Sequence, residues 1–172
     1  ALYQAKLING YNEQRKDIDK QMTEEANLIV EKLENQKHQS SIVLYDANWK
    51  KGVIDIVASR ITEIYFRPTI VMTMSDGMAT GSARSVAGFD IYEAIKSCRD
   101  LLTNFGGHTY AAGLTMKAEN IPAFKKRFQA YVDKHILPEQ TQAILDIESV
   151  IDFKDITKKL LNDLKKFAPH GP

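Results

Sequence analysis

The sequence predicts an α/β domain: a mixed, mostly parallel sheet with flanking helices, preceded by a long helical interdomain arm. Three observations carry that prediction. Two short apolar, β-branched runs at 42–45 and 69–74 bracket an amphipathic stretch of helical period, and a strand–helix–strand unit usually pairs its strands in parallel. Helix-like and strand-like patterns then alternate toward the C-terminus. Ahead of them, residues 1–38 carry Ile18, Met22, Ala26, Ile29 and Leu33 at helical spacing among Lys, Glu and Gln.

The arm reads as one helix or as two divided at Asn9-Gly10. Ser40-Ser41 punctuates the chain, and Ile42-Val43-Leu44-Tyr45 has the character of a buried strand. Val53, Ile54, Val57, Ala58, Ile61, Ile64 and Tyr65 then fall on a helical arc of roughly 140° at about 100° per residue, the clearest helix in the chain. Arg67-Pro68 stops it, and Thr69 to Met74 forms a second buried strand. Ser75-Asp76-Gly77 is turn chemistry, which predicts a hairpin into a more polar strand from Ala79 to Val86. Asp90 with Glu93 makes a capping-box pattern ahead of Ile91, Ala94, Ile95, Cys98, Leu101 and Leu102, so a helix is expected until Gly106-Gly107 breaks it. Gly113 to Met116 reads as a strand, and Asn120 before Ile121-Pro122 opens a helix with Phe124, Phe128, Tyr131 and Ile136 inward. A last strand is expected at 143–149 and a closing helix around Ile156, Leu160, Leu161 and Leu164. The organisation is thus an arm (1–39), a core (40–151) and a closing helix with the start of a junction (152–172). The arm's surplus apolar stripe and the ending His170-Gly171-Pro172 lead us to expect a piece of a larger protein.

Composition narrows the function classes. With 44% hydrophobic and 26% charged residues over 172 positions, the chain has the make-up of an ordinary globular domain. No apolar run approaches the roughly 18 residues that span a bilayer, and Ala1-Leu2-Tyr3-Gln4 does not begin a secretory signal, so no membrane partner and a cytoplasmic location are expected. The single cysteine, Cys98, allows no intrachain disulfide. Net charge is +1, so phosphate binding must come from local placement rather than a global field.

Two elements could supply such placement. In Asn104-Phe105-Gly106-Gly107-His108-Thr109-Tyr110, adjacent glycines permit a tight turn with unshielded N–H groups, and a following helical turn would aim its donors at the same spot, with His108 at the mouth. A helix C-cap with a packed histidine is the plainer reading of the same residues. Small Ala111, Ala112 and Gly113 read as close packing. In Gly81-Ser82-Ala83-Arg84-Ser85, a guanidinium and two hydroxyls lie on a strand, with Ser82 and Arg84 on one face and Ser85 on the other; a solvated edge strand is the competing reading. Trp49-Lys50-Lys51 could stack on a base, although such a tryptophan is more often core. The runs Lys125-Lys126-Arg127, Lys158-Lys159 and Lys165-Lys166 read as solvated helix faces. His38, His108, His135 and His170 are scattered without a paired carboxylate, so no metal site and no catalytic residue is expected. A Walker loop, a serine-hydrolase elbow and a dinucleotide fingerprint are absent from the sequence.

Taken in order and spacing, Trp49 to Arg60, Arg67-Pro68, Gly81 to Ser85, Gly88-Phe89-Asp90 and Gly106 to Gly113 resemble the DHH-associated domain of RecJ-type single-strand exonucleases. Asn12-Glu13-Gln14-Arg15-Lys16 resembles the end of that family's linking helix, and Phe167 to Pro172 its junction into a later oligonucleotide-binding domain. The resemblance implies a substrate-binding domain of a 5′-to-3′ single-stranded-DNA exonuclease, inactive alone. Mn²⁺ or Mg²⁺ would be bound in a missing DHH domain packed against the Gly106–His108 side. By position, Arg84 and Ser85, with Ser82 beside them, look like substrate-phosphate residues, and Gly106, Gly107 and His108 like the loop facing the metal centre. Lys50 stands where the family commonly has histidine, and Asp55 where it commonly has glycine. The rivals are another DHH phosphoesterase acting on short oligonucleotides or small nucleotides, and an RNA-binding module like that of alanyl-tRNA synthetases.

Overall fold

Helix α1 (Leu2–Glu34) runs without a break through Asn9-Gly10 in the computed structural model, which describes residues 2–34, 39–144, 147 and 149–169. A glycine in an exposed helix interior costs only about 1 kcal/mol, too little to divide a helix of this length. The second half of α1 buries Met22, Ala26 and Val30, so the stripe that looks surplus in the sequence helps build the core of the domain. Tyr3, Leu7, Ile8 and Tyr11 in the first half are exposed.

The chain divides into two compact units, 1–142 and 143–172. In the first, β1 (Ile42–Tyr45), α2 (Ile54–Tyr65), β2 (Thr69–Ser75) and β3 (Met78–Arg84) follow the expected boundaries to within two residues. Next come α3 (Ile91–Lys96), β4 (Asn104–His108), β5 (Ala111–Met116) and α4 (Ile121–His135). The sheet order is β1-β2-β3-β5-β4. It is mixed, as expected, but its parallel share is small: only β1–β2 is parallel, while β2–β3, β3–β5 and β4–β5 are antiparallel. The reason lies in the connections. Only α2 makes a crossover between sheet neighbours; tight hairpins join β2 to β3 and β4 to β5, and a hairpin forces antiparallel pairing.

Strand alternation gives the sheet two chemically different faces. Val43, Ile70, Met72, Ala79, Ala83, Ala112, Leu114 and Met116 face α3 and α4 and pack with Ile91, Ile95, Phe124 and Phe128. Ile42, Leu44 and Val71 face α2 and the second half of α1. Phe124 and Phe128 stack at 5.7 Å between ring centroids, a helical i,i+4 pair wholly buried under the sheet. Asp90 caps α3 as its spacing predicts, accepting from the Glu93 N–H at 3.1 Å, but the helix is short and yields to a 3₁₀ turn at Arg99–Leu101.

In the second unit, α5 (Lys158–Lys165) forms where the closing helix is expected, with Thr157 Oγ accepting from the Leu160 N–H at 3.2 Å. The last strand expected at 143–149 does not form at the residues described there. Ile144 and Ile147 are exposed, and a lone apolar run without a partner ladder has nothing to hold it extended.

Candidate nucleic-acid interface

Register places the two phosphate-binding candidates on one row. On the α2-side face, Arg84 pairs with Ala111 and Ala111 with His108; Ser82 pairs with Gly113 and Gly113 with Gly106. A third row runs Thr80, Thr115, Asn104. Two strand spacings, about 10 Å, separate Arg84 from His108 across the sheet. Helix α2 packs on β2 and β3, whereas Asn104, Gly106, His108 and Gly113 are exposed on this same face. A depression of about 310 Å³ results, lined by Thr80, Gly81, Asn104, Gly106, Gly113 and Thr115.

The glycines of this face differ in what they do. A Cβ on Gly106 would meet no atom within 4 Å, and one on Gly113 would only reach Gly81 O at 3.9 Å, so packing does not demand glycine at either. Their missing side chains leave backbone and its polar groups open to a ligand. Gly107 points to the opposite face at φ 150°, where a Cβ would fall 2.3 Å from Ala111 O; here the fold itself demands glycine.

Arg84 forms the wall between this face and α2. Its Nε donates to Ser59 Oγ at 3.1 Å, and its Nη1 donates to Ser82 Oγ and to Ala83 O, both at 3.0 Å. These bonds hold the guanidinium in one orientation and leave Nη2 as the nitrogen available to a phosphate oxygen. His108 accepts the Tyr110 N–H at Nδ1 (3.3 Å), which assigns the ring proton to Nε2 and leaves that N–H as a donor. Tyr110 stands edge-on to the His108 ring at 6.3 Å and is itself exposed.

Two expectations need correction, and Trp49 takes the plainer of its two readings. Gly106-Gly107 does not form a turn ahead of a helix: both lie within β4, and the reversal occurs at Thr109-Tyr110. No helical turn follows the glycines, since β5 begins at Ala111; the Thr109 carbonyl accepts from the first N–H of α3 at 3.1 Å. Trp49 is core, 5% exposed, with its indole N–H donating to Glu25 at 2.9 Å beneath α1, so it offers no stacking platform. Ser85 keeps to the face opposite Ser82 and Arg84, and its hydroxyl is already engaged: it donates to Phe89 O at 2.6 Å and ties down the loop into α3. Conversely, Thr80 and Thr115 belong to this face although no sequence motif marks them, and Asn104 and Gly113, at the ends of the glycine motif, join it although neither is singled out as a binding residue in the sequence. The period-2 offset of Gly113 from Ala111 is the available signal, but it becomes informative only once β5 is known to lie between β3 and β4.

Residues 24–134 match the family model described as the DHHA1 domain. The chain belongs to the DHHA1 domain family. This DHHA1 chain is 36% identical over 167 residues to the single-stranded-DNA-specific exonuclease RecJ of Bacillus subtilis, covering 95% of its own length and 21% of that protein. It is 30% identical over 174 residues to the RecJ of Escherichia coli, covering 97% of itself and 30% of that relative. Among solved structures, RecJ of Thermus thermophilus in complex with Mg²⁺ superposes with a TM-score of 0.75 at 29% identity, over 93% of this chain and 24% of that one. An exonuclease RecJ bound to manganese aligns over 77% of the chain with a TM-score of 0.63 and 35% identity. The DHHA1 chain thus spans about a third or less of the length of these relatives.

The metal of those structures does not fit the described residues of this chain. Among them, no three of His, Cys, Asp and Glu converge, and His108 has Ala111 and Arg84, not carboxylates, along its row. His38 and His170 lie outside the described residues. No helix among the described residues is long and apolar enough to cross a membrane.

Proposed function

We propose that this DHHA1 domain is the substrate-gripping part of a 5′-to-3′ single-stranded-DNA exonuclease, holding the strand across the β3-β5-β4 face while another domain of the parent hydrolyses it. The observation that carries the reading is the row from Arg84 to His108. It sets Arg84 and His108 two strand spacings, about 10 Å, apart with Ala111 between them, and the adjacent row of Gly113 and Gly106 lets a sugar-phosphate backbone approach the sheet. Arg84 and Ser82 hold one phosphate by charge-assisted hydrogen bonds. His108 Nε2 and exposed backbone groups of β4 meet the strand further along. Ser85 and Gly107 serve the site indirectly: Ser85 ties down the loop that follows Arg84, and Gly107 lets β4 pack closely on β5 beside His108. The DHH domain of the parent, with its Mn²⁺ or Mg²⁺, packs against the Gly106–His108 edge; the residues of this chain bind and orient, and hold a strand in place for in-line attack.

Anisotropy of a 5′-fluorescein oligothymidylate tests this on the chain itself. Arg84→Ala and His108→Ala should each weaken binding by about tenfold or more, with an unchanged circular dichroism spectrum, as removal of a charge-assisted hydrogen bond of roughly 1.5–3 kcal/mol implies. The log–log salt slope should become shallower by about 0.7 for each phosphate of the single strand that a variant no longer neutralises. Gly106→Leu, which places a side chain over the open face, should also weaken binding. Normal affinity in Arg84→Ala, or in His108→Ala and Gly106→Leu together, sinks the assignment, as does metal-dependent digestion by the chain alone.

A further inference from the structure

We infer that Asp55 is a release carboxylate: it competes with the bound phosphate for the one nitrogen of Arg84 that the fold leaves free, and so sets how fast the strand is let go. The inference rests on the phosphate-gripping reading above. Of the three guanidinium nitrogens, Nε and Nη1 are committed to Ser59, Ser82 and Ala83. Among the described residues, the partner of Nη2 is the Asp55 carboxylate, whose Oδ2 lies 3.9 Å away, beyond hydrogen-bond length. Asp55 sits in the first turn of α2 with its side chain 52% exposed, whereas that of Arg84 is 27% exposed. One Nη2 thus has two claimants, a tethered carboxylate that is always present and a phosphate that comes and goes.

The geometry decides which dominates. At 3.9 Å and half-exposed, Asp55 is too weakly engaged to lock Arg84 away from substrate, since exposed pairs of this kind shift equilibria by only about twofold to fivefold. It is close enough to repel an incoming phosphate and to re-partner Nη2 when that phosphate departs. A grip that must advance along a strand gains from such a partner, because the outgoing state is not left with a partly buried, unpaired cation. Substrate residence time, more than encounter rate, should therefore answer to Asp55.

The test is a double-mutant cycle on the 172-residue chain, using anisotropy and stopped-flow dissociation of the same 5′-fluorescein oligothymidylate, with thermal melts to confirm folding. Asp55→Asn should tighten binding about twofold to fivefold, mainly through slower dissociation, and should change nothing in an Arg84→Gln background. Unaltered affinity in Asp55→Asn overturns the inference while leaving the grip intact, provided Arg84→Gln still weakens binding. An equal gain in both backgrounds overturns it too, because the effect is then general charge rather than competition for Arg84. If Arg84→Gln binds as the wild type does, or the wild type fails to bind at millimolar oligonucleotide, the gripping reading falls and this inference with it.

Discussion

Gly106 and Gly107 are neighbours of identical chemistry, yet alanine at the two positions should have opposite consequences. At Gly107, φ of 150° lies in a region that residues with a Cβ rarely adopt. An added Cβ would meet Ala111 O at 2.3 Å, Ala112 Cα at 2.5 Å and Ala112 Cβ at 2.7 Å, all in the strand that β4 pairs with. Carbon contacts normally settle near 3.5–4.0 Å, so β4 must move off β5 by about 1 Å. Backbone strain of about 1–3 kcal/mol and overpacking of a similar size give roughly 2–6 kcal/mol for Gly107→Ala. Against a typical domain stability of about 5–15 kcal/mol, that lowers the melting temperature by on the order of 10 °C or more. Gly106→Ala meets nothing within 4 Å and should stay within about 0.5 kcal/mol of the wild type. Thermal and urea unfolding followed by circular dichroism, with both variants in parallel, measures the contrast. A Gly107→Ala protein as stable as the wild type, or a Gly106→Ala protein that falls with it, refutes the strand register on which the interface is built.

Three further outcomes follow from other parts of the fold. Trp49 is buried under α1, so its emission should be blue-shifted and unmoved by saturating single-stranded DNA; quenching on addition would return it to the interface. Burial also pushes the Cys98 thiol up, so a disulfide reagent at neutral pH should label the native protein slowly and the urea-unfolded protein fast; rapid native labelling would mean the α3 segment opens readily. The hydrogen bond from Arg127 holds the Asp100 carboxyl below the usual carboxylate range. A carboxyl depressed in the folded state adds stability above its unfolded pKa of about 3.9, and that contribution is lost as pH falls through the folded value. In Arg127→Ala, the Asp100 midpoint seen by NMR should rise toward about 3.9, and an unmoved midpoint would show that the ion pair is not formed in solution.

Local pattern was enough for the elements whose residues carry their own signal. The β-branched run Ile42–Tyr45, the apolar arc from Ile54 to Tyr65, the Ser75-Asp76-Gly77 reversal and the Asp90 cap each reflect interactions within a few residues, and each appears where the spacing put it. The same holds for Arg84 and Ser82 sharing a face, because strand alternation is a local property. The DHHA1 family was legible in the order of its motifs.

Pairing between distant strands decided the rest. In isolation Gly106-Gly107 reads as a break, since glycine favours turns, but β5 supplies the ladder that holds both in a strand. Trp49 beside two lysines resembles a stacking platform until α1, more than 20 residues upstream, covers it and offers Glu25 to its indole. Ser85 looks like a second phosphate donor until the loop to α3 takes its hydroxyl. Sequence alone therefore determined which chemical groups this protein possesses and which short segments carry them. Tertiary structure decided that Arg84 and His108, 24 positions apart, stand on one row of one exposed face, because register arises from hydrogen bonds between strands that no local pattern encodes.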